Sequence, residues 1–281
     1  KTFEIGQLDA RGRLTRLAGK APCLTVELGE GSNLYLLQIP TGEFDMGSPG
    51  NEAYREANEG PQHRVRVDAF YMTQTEISQG QWRRVCSFPA VNRPLSPTPS
   101  KVQGQNLPVT DVSYEECLEF CARLSKKTGR VFRLATEAEW EYACRGGPSL
   151  QPFHFGPTIT PEVSTFRASK PYLNNFPPGK DPKGPAPVSG HSAANPFGLL
   201  DMHGNVKEWC LDKYLNYSEE RQVNPLGKSD STTERVVRGG GYQTYPWSCR
   251  SAYRGRSNET ESSPDIGFRV VAPEQIEVTS P

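Results

Sequence analysis

Helix-forming pattern fills the middle of the chain and stops at Gly147; the next stretch, residues 148–195, keeps no apolar period of either 3.6 or 2 residues. It is rich in Pro, Gly, Ser and Asn. A loop that long inside a compact domain is functional or is pinned by something. The fold must therefore contain much ordered loop and modest regular structure. Composition agrees: 35% of residues are hydrophobic, and 26 Gly and 25 Pro punctuate the 281 positions. Aromatics, 10% of the chain, must supply much of the core.

The regular elements are nonetheless legible. Residues 1–40 read as extended, with Phe3 to Ile5, Leu24 to Leu28 and Leu34 to Ile39 apolar or alternating between Gly-rich turns. His63 to Met72 alternates as a half-buried strand. Three helices begin at capping boxes: Ser78 with Gln81, Ser113 with Glu116, and Thr136 with Glu139. Each hydroxyl accepts from an orphan backbone N–H while the longer side chain reaches back. The second helix carries Tyr114, Cys117, Leu118, Cys121 and Leu124 on one face. The second and third stop at Gly129 and Gly146, where a left-handed residue is needed. Val236 to Arg238 and Gly267 to Val271 read as strands, separated by a polar, aromatic-dotted segment, 239–265.

Lys plus Arg equals Asp plus Glu, 32 each, so the chain has no general attraction for nucleic acid or an anionic surface. No apolar run approaches a bilayer span, and no membrane insertion is expected. Seven cysteines, an odd number with no C-x-x-C pair, argue against a disulfide framework or a zinc ribbon. They point to reduced, buried thiols and a cytoplasmic location; surface display through a trimmed leader stays open. Cys117 and Cys121, one turn apart, read as core rather than as a metal or redox pair. A monomer is expected.

The motifs fall in a recognisable order. Gly42-Glu43-Phe44-Asp45-Met46-Gly47-Ser48 comes first, then Pro61 with His63, and Pro108-Val109 before Ser113. Arg133 to Tyr142 (RLATEAEWEY) follows, then Asn195 to Trp209 (NPFGLLDMHGNVKEW). Arg238-Gly239-Gly240 and Gly267-Phe268-Arg269 close the series. Together these resemble the formylglycine-generating-enzyme (sulfatase-modifying-factor) family over roughly 36–272. The resemblance implies an α+β chain in a C-type-lectin-like fold, with low regular secondary structure and long ordered loops. It also sets the expected organisation: a β-rich extension, 1–35, packed on the main domain, 36–272, and a flexible tail, 273–281.

Active members of that family oxidise a peptidyl cysteine with O2 on Cu(I) held by two cysteines about five residues apart. Here Cys249 falls on the second cysteine and Thr244 on the first. A hydroxyl does not replace a thiolate as a ligand for a soft ion. Gly241 stands where active relatives have Ser, and Lys207 where they have Trp. No copper is therefore expected, and Cys249 reads as packing. His63, His154, His191 and His203 are scattered and read as hydrogen-bonding loop or core residues.

Asp201, Gly204, Val206 and Glu208 match a calcium loop of the family, two carboxylates with two backbone carbonyls. For the family's other calcium site, Asp181 is a candidate, but Thr165 stands at its Asn position. Residues 241–248 (GYQTYPWS) have the vocabulary of a paratope, rigid amphipathic rings among small neighbours. The expected ligand-binding face comprises Gly241, Tyr242, Gln243, Thr244, Tyr245, Ser248, Tyr253, Gly255, Ser257 and Asn258. Trp247 is expected to pack the loop. One branch of the family, the variable proteins of bacterial diversity-generating retroelements, diversifies the matching window, here Arg238 to Arg269. Cys249-Arg250-Ser251-Ala252 would then be a fixed island. The sequence thus favours a non-catalytic module binding a protein or small-molecule ligand; the alternative is a copper-dependent oxidase.

Overall fold

The computed structural model describes residues 1–174 and 177–274. All three capping boxes form: Ser78, Ser113 and Thr136 each accept from the backbone three residues on, and Gln81, Glu116 and Glu139 reach back. They open α1 (Gln79–Cys86), α2 (Tyr114–Thr128) and α3 (Glu137–Arg145). Gly129 and Gly146 close α2 and α3 at φ of 72° and 69°, a left-handed turn that a side chain would strain.

The strands, in chain order, are β1 (Thr2–Leu8), β2 (Leu14–Lys20), β3 (Cys23–Gly29), β4 (Ser32–Ile39), β5 (Gly42–Met46), β6 (His63–Val67), β7 (Phe70–Thr73) and β8 (Arg133–Leu134). They continue as β9 (Ala193–Ala194), β10 (Lys207–Lys213), β11 (Gln222–Val223), β12 (Glu234–Arg238), β13 (Gly255–Asn258), β14 (Ile266–Gly267) and β15 (Val270–Pro273). They form four small sheets, ordered β2-β1-β9, β13-β12-β10-β14, β11-β6-β5 and β3-β4-β7-β15-β8. With three short helices, this is the α+β, loop-rich architecture the sequence implied. β4 runs across residue 35 into the five-stranded sheet. The expected tail falls, from residue 275 on, outside the described residues.

Two strands expected as single elements are each split. His63 to Met72 breaks at Asp68-Ala69 into β6, which pairs β5, and β7, which pairs β4 and β15. Gly267 to Val271 breaks at Phe268-Arg269, so that β14 joins β10 and β15 joins β7 and β8. An unbroken alternation along the chain does not reveal a change of sheet, because both segments keep period 2.

Three apolar clusters hold these layers. α1 and α2 pack through Trp82 and Phe120, stacked at 5.6 Å, with Phe268 edge-on to Phe120 at 5.1 Å. α3 packs Trp140 and Tyr142 against Phe44, Val65 and Val236. The third cluster belongs to the long loop itself: Phe153, Phe155, Ile159, Val163, Phe166 and Tyr172 are buried around Leu8. The amino-terminal hairpin pins that loop from outside, since the Leu8 N–H donates to the Phe155 carbonyl at 2.7 Å and β9 pairs in parallel with β1. All seven cysteines are free, and Cys117 and Cys121 lie in the first cluster as core. Among the described residues, no helix is long and apolar enough to cross a membrane.

Candidate functional site

The segment after β12 starts with Gly239 and Gly240 at φ of 94° and 69°. A side chain on Gly240 would meet Cys249 Sγ at 2.6 Å, so glycine is required for the chain to fold back over that thiol. The return turn is closed by Thr244. Its N–H donates to the Gly241 carbonyl at 2.9 Å, and its hydroxyl accepts from the Gly241 N–H at 2.9 Å. Thr244 Oγ1 then lies 3.8 Å from Cys249 Sγ, so the two residues that the sequence resemblance matched to the copper pair do meet. Burial pushes the Cys249 thiol up to about 12, so it is protonated at neutral pH. One protonated thiol beside a hydroxyl does not fit a two-thiolate Cu(I) site.

A cleft of about 580 Å³ runs past this turn, lined by Asn58, Lys207, Tyr214, Thr244, Tyr253 and Arg256 among others. Lys207, at the family's Trp position, reaches Asp265 at 3.0 Å. Above the turn, Tyr245, Trp247 and Tyr54 stack in sequence at 4.6 and 5.2 Å, and Arg167 lies over the Tyr245 ring at 4.5 Å. Of the ten expected face residues, only Gln243 is fully exposed; Thr244, Tyr245, Tyr253, Gly255, Ser257 and Asn258 are half-buried. Gly241, Tyr242 and Ser248 are buried, which corrects their reading as exposed. Tyr242 turns inward because its N–H donates to the Asn205 carbonyl. Trp247 packs the loop as expected, half-buried against the third apolar cluster and stacked between Tyr245 and Tyr54, and Tyr242 is buried beside it in sequence.

Cys249, Arg250, Ser251 and Ala252 are fully buried. Arg250 binds both oxygens of Glu59, at 2.5 and 2.8 Å, and Glu52 at 2.6 Å. Arg254 clasps Glu137 at 2.7 and 2.9 Å under the Tyr217 ring. Arg238 joins Arg145 on Glu141. Local pattern carries no sign of the long-range pairs, whose partners lie 97 to 198 positions apart.

The calcium-loop residues come together only in part. Asp201 sits at φ 58° and accepts from the Ser189 N–H at 2.7 Å. Glu208 is fully engaged: Arg269 donates to both oxygens at 2.7 Å, and Trp140 Nε1 to one at 2.8 Å. Gly204 is held at φ 91° by Gly239, and Val206 is buried. A residue the sequence reading missed, Glu76, accepts from Asn205 at 3.0 Å through Oε1, while its buried Oε2 has no partner. Burial, reinforced by the Asp201 charge, pushes the Glu76 carboxyl well up; burial also raises Asp201 to about 6. Among the described residues, no three His, Cys, Asp or Glu side chains cluster as a metal centre. Asp181 and Thr165 do not meet: Asp181 binds Ser169, and Thr165 binds His191.

The histidines are structural hydrogen-bonders in large part. His203 Nδ1 donates to the Cys249 carbonyl at 2.7 Å and Nε2 accepts from the His154 N–H at 3.0 Å, which fixes the neutral ring. Burial holds it down to about 4.

Known proteins share this arrangement at several levels. The formylglycine-generating enzyme of Mus musculus is 28% identical, over 84% of this chain and 74% of its own. The solved structure of PvdO from Pseudomonas aeruginosa superposes with a TM-score of 0.75 at 26% identity, covering 91% of this chain and all of that one. Treponema denticola variable protein 1 shares the fold, with a TM-score of 0.71 at 20% identity over 90% of this chain and all of that one. Residues 29–273 match the sulfatase-modifying factor enzyme 1-like domain, the formylglycine-generating-enzyme type, and the chain belongs to that family.

Proposed function

We propose that this chain is a non-catalytic binding module of its family, taking a protein or small-molecule ligand in the cleft beside residues 241–258. The observation that carries this reading is Thr244 Oγ1 at 3.8 Å from a buried Cys249 thiol, where copper chemistry needs a second thiolate. The cleft supports the binding half of the reading: half-buried Tyr214 and Tyr253 offer rings with polar tips, Lys207 and Arg256 offer ion pairs with Asp265 and Glu234, and the arginine pairs beneath hold the walls in place. Whether the window 238–269 is genetically diversified would show as substitutions confined to those codons among isolates. The direct test is mass spectrometry of a Cys-x-Pro-x-Arg peptide incubated with the protein and Cu(I). No formylglycine above a metal-only blank is expected, and turnover would establish the oxidase alternative.

A second reading is favoured by Glu76: a structural Ca2+ held by Glu76 and Asp201. Both are buried or half-buried carboxylates without an arginine partner, and hard oxygen donors suit that ion. The family resemblance adds the carbonyls of Gly204 and Val206. Glu208, already saturated by Arg269 and Trp140, serves in this reading to orient the loop. Calorimetric titration of the chelator-treated protein with Ca2+ tests it; no heat of binding would remove it.

A further inference from the structure

Buried carboxylates in this protein follow a rule. Among the described residues, Glu59, Glu119, Glu137, Glu139, Glu141, Glu208 and Asp265 each have an arginine or lysine within ion-pair distance. Glu76, with its neighbour Asp201, departs from the rule at the calcium loop. The other departure is Asp212, 5% exposed, which has no ion pair at all. It sits near the end of β10, on the same strand as Glu208 of the calcium loop, and lines a cavity of about 430 Å³.

That cavity adjoins the cleft described above, since Arg254 and Asn216 line both. Met46, Ala138, Val223 and Leu226 supply apolar wall. Asp212 accepts one backbone N–H on each oxygen, from Gly227 at 2.7 Å and from Glu137 at 2.8 Å. Each oxygen keeps a second lone pair. His63, also in the lining, makes its Nδ1 contact with the Pro61 carbonyl at 3.0 Å; the Nδ1–H must donate there, so Nε2 is an acceptor. The cations at the rim are already neutralised, Arg254 by Glu137 and Lys213 by Glu259 at 2.8 Å. Of the two buried carboxylates in the lining, Glu137 is matched by Arg254 and Asp212 is unmatched, and the lining cations are already paired. An anionic ligand would face Asp212 with nothing to offset it, and a purely apolar one would leave the carboxylate unpaired. Burial and the neighbouring Glu137 charge push Asp212 up to about 7, as befits a carboxylate lacking a counter-ion.

We propose that the cavity beside Asp212 binds an alkylammonium group, its head on Asp212 and His63 and its chain against Met46, Ala138, Val223 and Leu226. The head belongs either to a free primary amine or to a lysine side chain of a peptide. This site shares Arg254 and Asn216 with the cleft of the binding module but does not depend on that reading.

Amide shifts of the full chain would be followed at pH 8 during titration with n-pentylamine, Nα-acetyl-lysine methylamide, 1-pentanol and pentanoate. Saturable shifts at Ala138 and Gly227 are expected with the two amines, in the millimolar range or tighter. The alcohol should bind roughly tenfold more weakly or worse, and pentanoate not at all. The tighter of the two amines identifies the source, free amine or peptide. Asp212→Asn should weaken amine binding by roughly tenfold or more. Should that variant fail to fold, because an amide cannot accept both N–H groups, Leu226→Trp fills the cavity without touching Asp212 and must abolish the same shifts. Pentanol binding as well as pentylamine, no saturable shift with either amine, or amine binding unchanged in Leu226→Trp would each overturn the proposal.

Discussion

Residues 242–248 and 249–254 are neighbours that are both polar and tyrosine-bearing, YQTYPWS and CRSAYR, yet they stand differently in the molecule. The first stretch is a turn with a half-buried aromatic stack on its outer side. The second is buried nearly throughout, and its two arginines close ion pairs with Glu59 and Glu137 from distant parts of the chain. Polarity of sequence therefore does not mark surface here. A buried guanidinium with both its planar edges occupied is as much core as a ring, because its charge is met by a carboxylate in fixed geometry. What distinguishes the two stretches is whether the side chains have partners inside the fold. A binding face can vary where they have none.

The comparison breaks most visibly at Arg250. Arg250→Ala leaves Glu59 and Glu52 buried without a cation and should cost about 3–5 kcal/mol in urea unfolding. A loss below about 1 kcal/mol would mean the two stretches are equivalent. Next in size is calcium. With Ca2+ at about a hundred times its dissociation constant, the parent should gain about 2.7 kcal/mol, and Glu76→Ala or Asp201→Ala should gain nothing. Identical melts of the parent in chelator and in excess Ca2+ would leave the two carboxylates without an occupant.

The carboxylate without a salt bridge sharpens the same contrast through pH. Asp212, raised to about 7 from an ordinary carboxylate value, adds stability as pH falls from 7 towards 4. His203, lowered to about 4, loses stability over nearly the same fall, from 6.5 to 4. The two oppose each other in the parent. Asp212→Asn removes the first, so its stability should drop on acidification more steeply than the parent's, by about 1 kcal/mol per pH unit. Parallel stability curves for parent and variant would contradict this. The smallest effect is expected on the outer turn. Exchanging Gln243, Thr244 and Tyr245 together for other polar or aromatic residues should change stability by about 1 kcal/mol or less. Binding in the cleft should collapse in a pull-down with the same variant. Severe unfolding would put the turn in the scaffold with 249–254.

Legibility followed the range of the interaction. The helices were readable because a capping box and a left-handed glycine are complete within a dozen residues. The approach of Thr244 to Cys249 was readable because the two are five positions apart. The direction of Tyr242 was not, since the Asn205 carbonyl that draws it inward is 37 positions away and leaves no trace in the local pattern. Glu76 was missed for the same reason: its Asn205 contact spans 129 residues.

By itself, then, the sequence determined the three helices and their ends, the loop-rich α+β class and the family. Tertiary structure alone decided which polar residues are core. A buried charge is tolerable only where an opposite charge arrives from elsewhere in the chain. That pairing put Arg250 and Arg254 inside, joined Glu208 to Arg269, and, among the described residues, left Glu76, Asp201 and Asp212 without a cation within ion-pair distance.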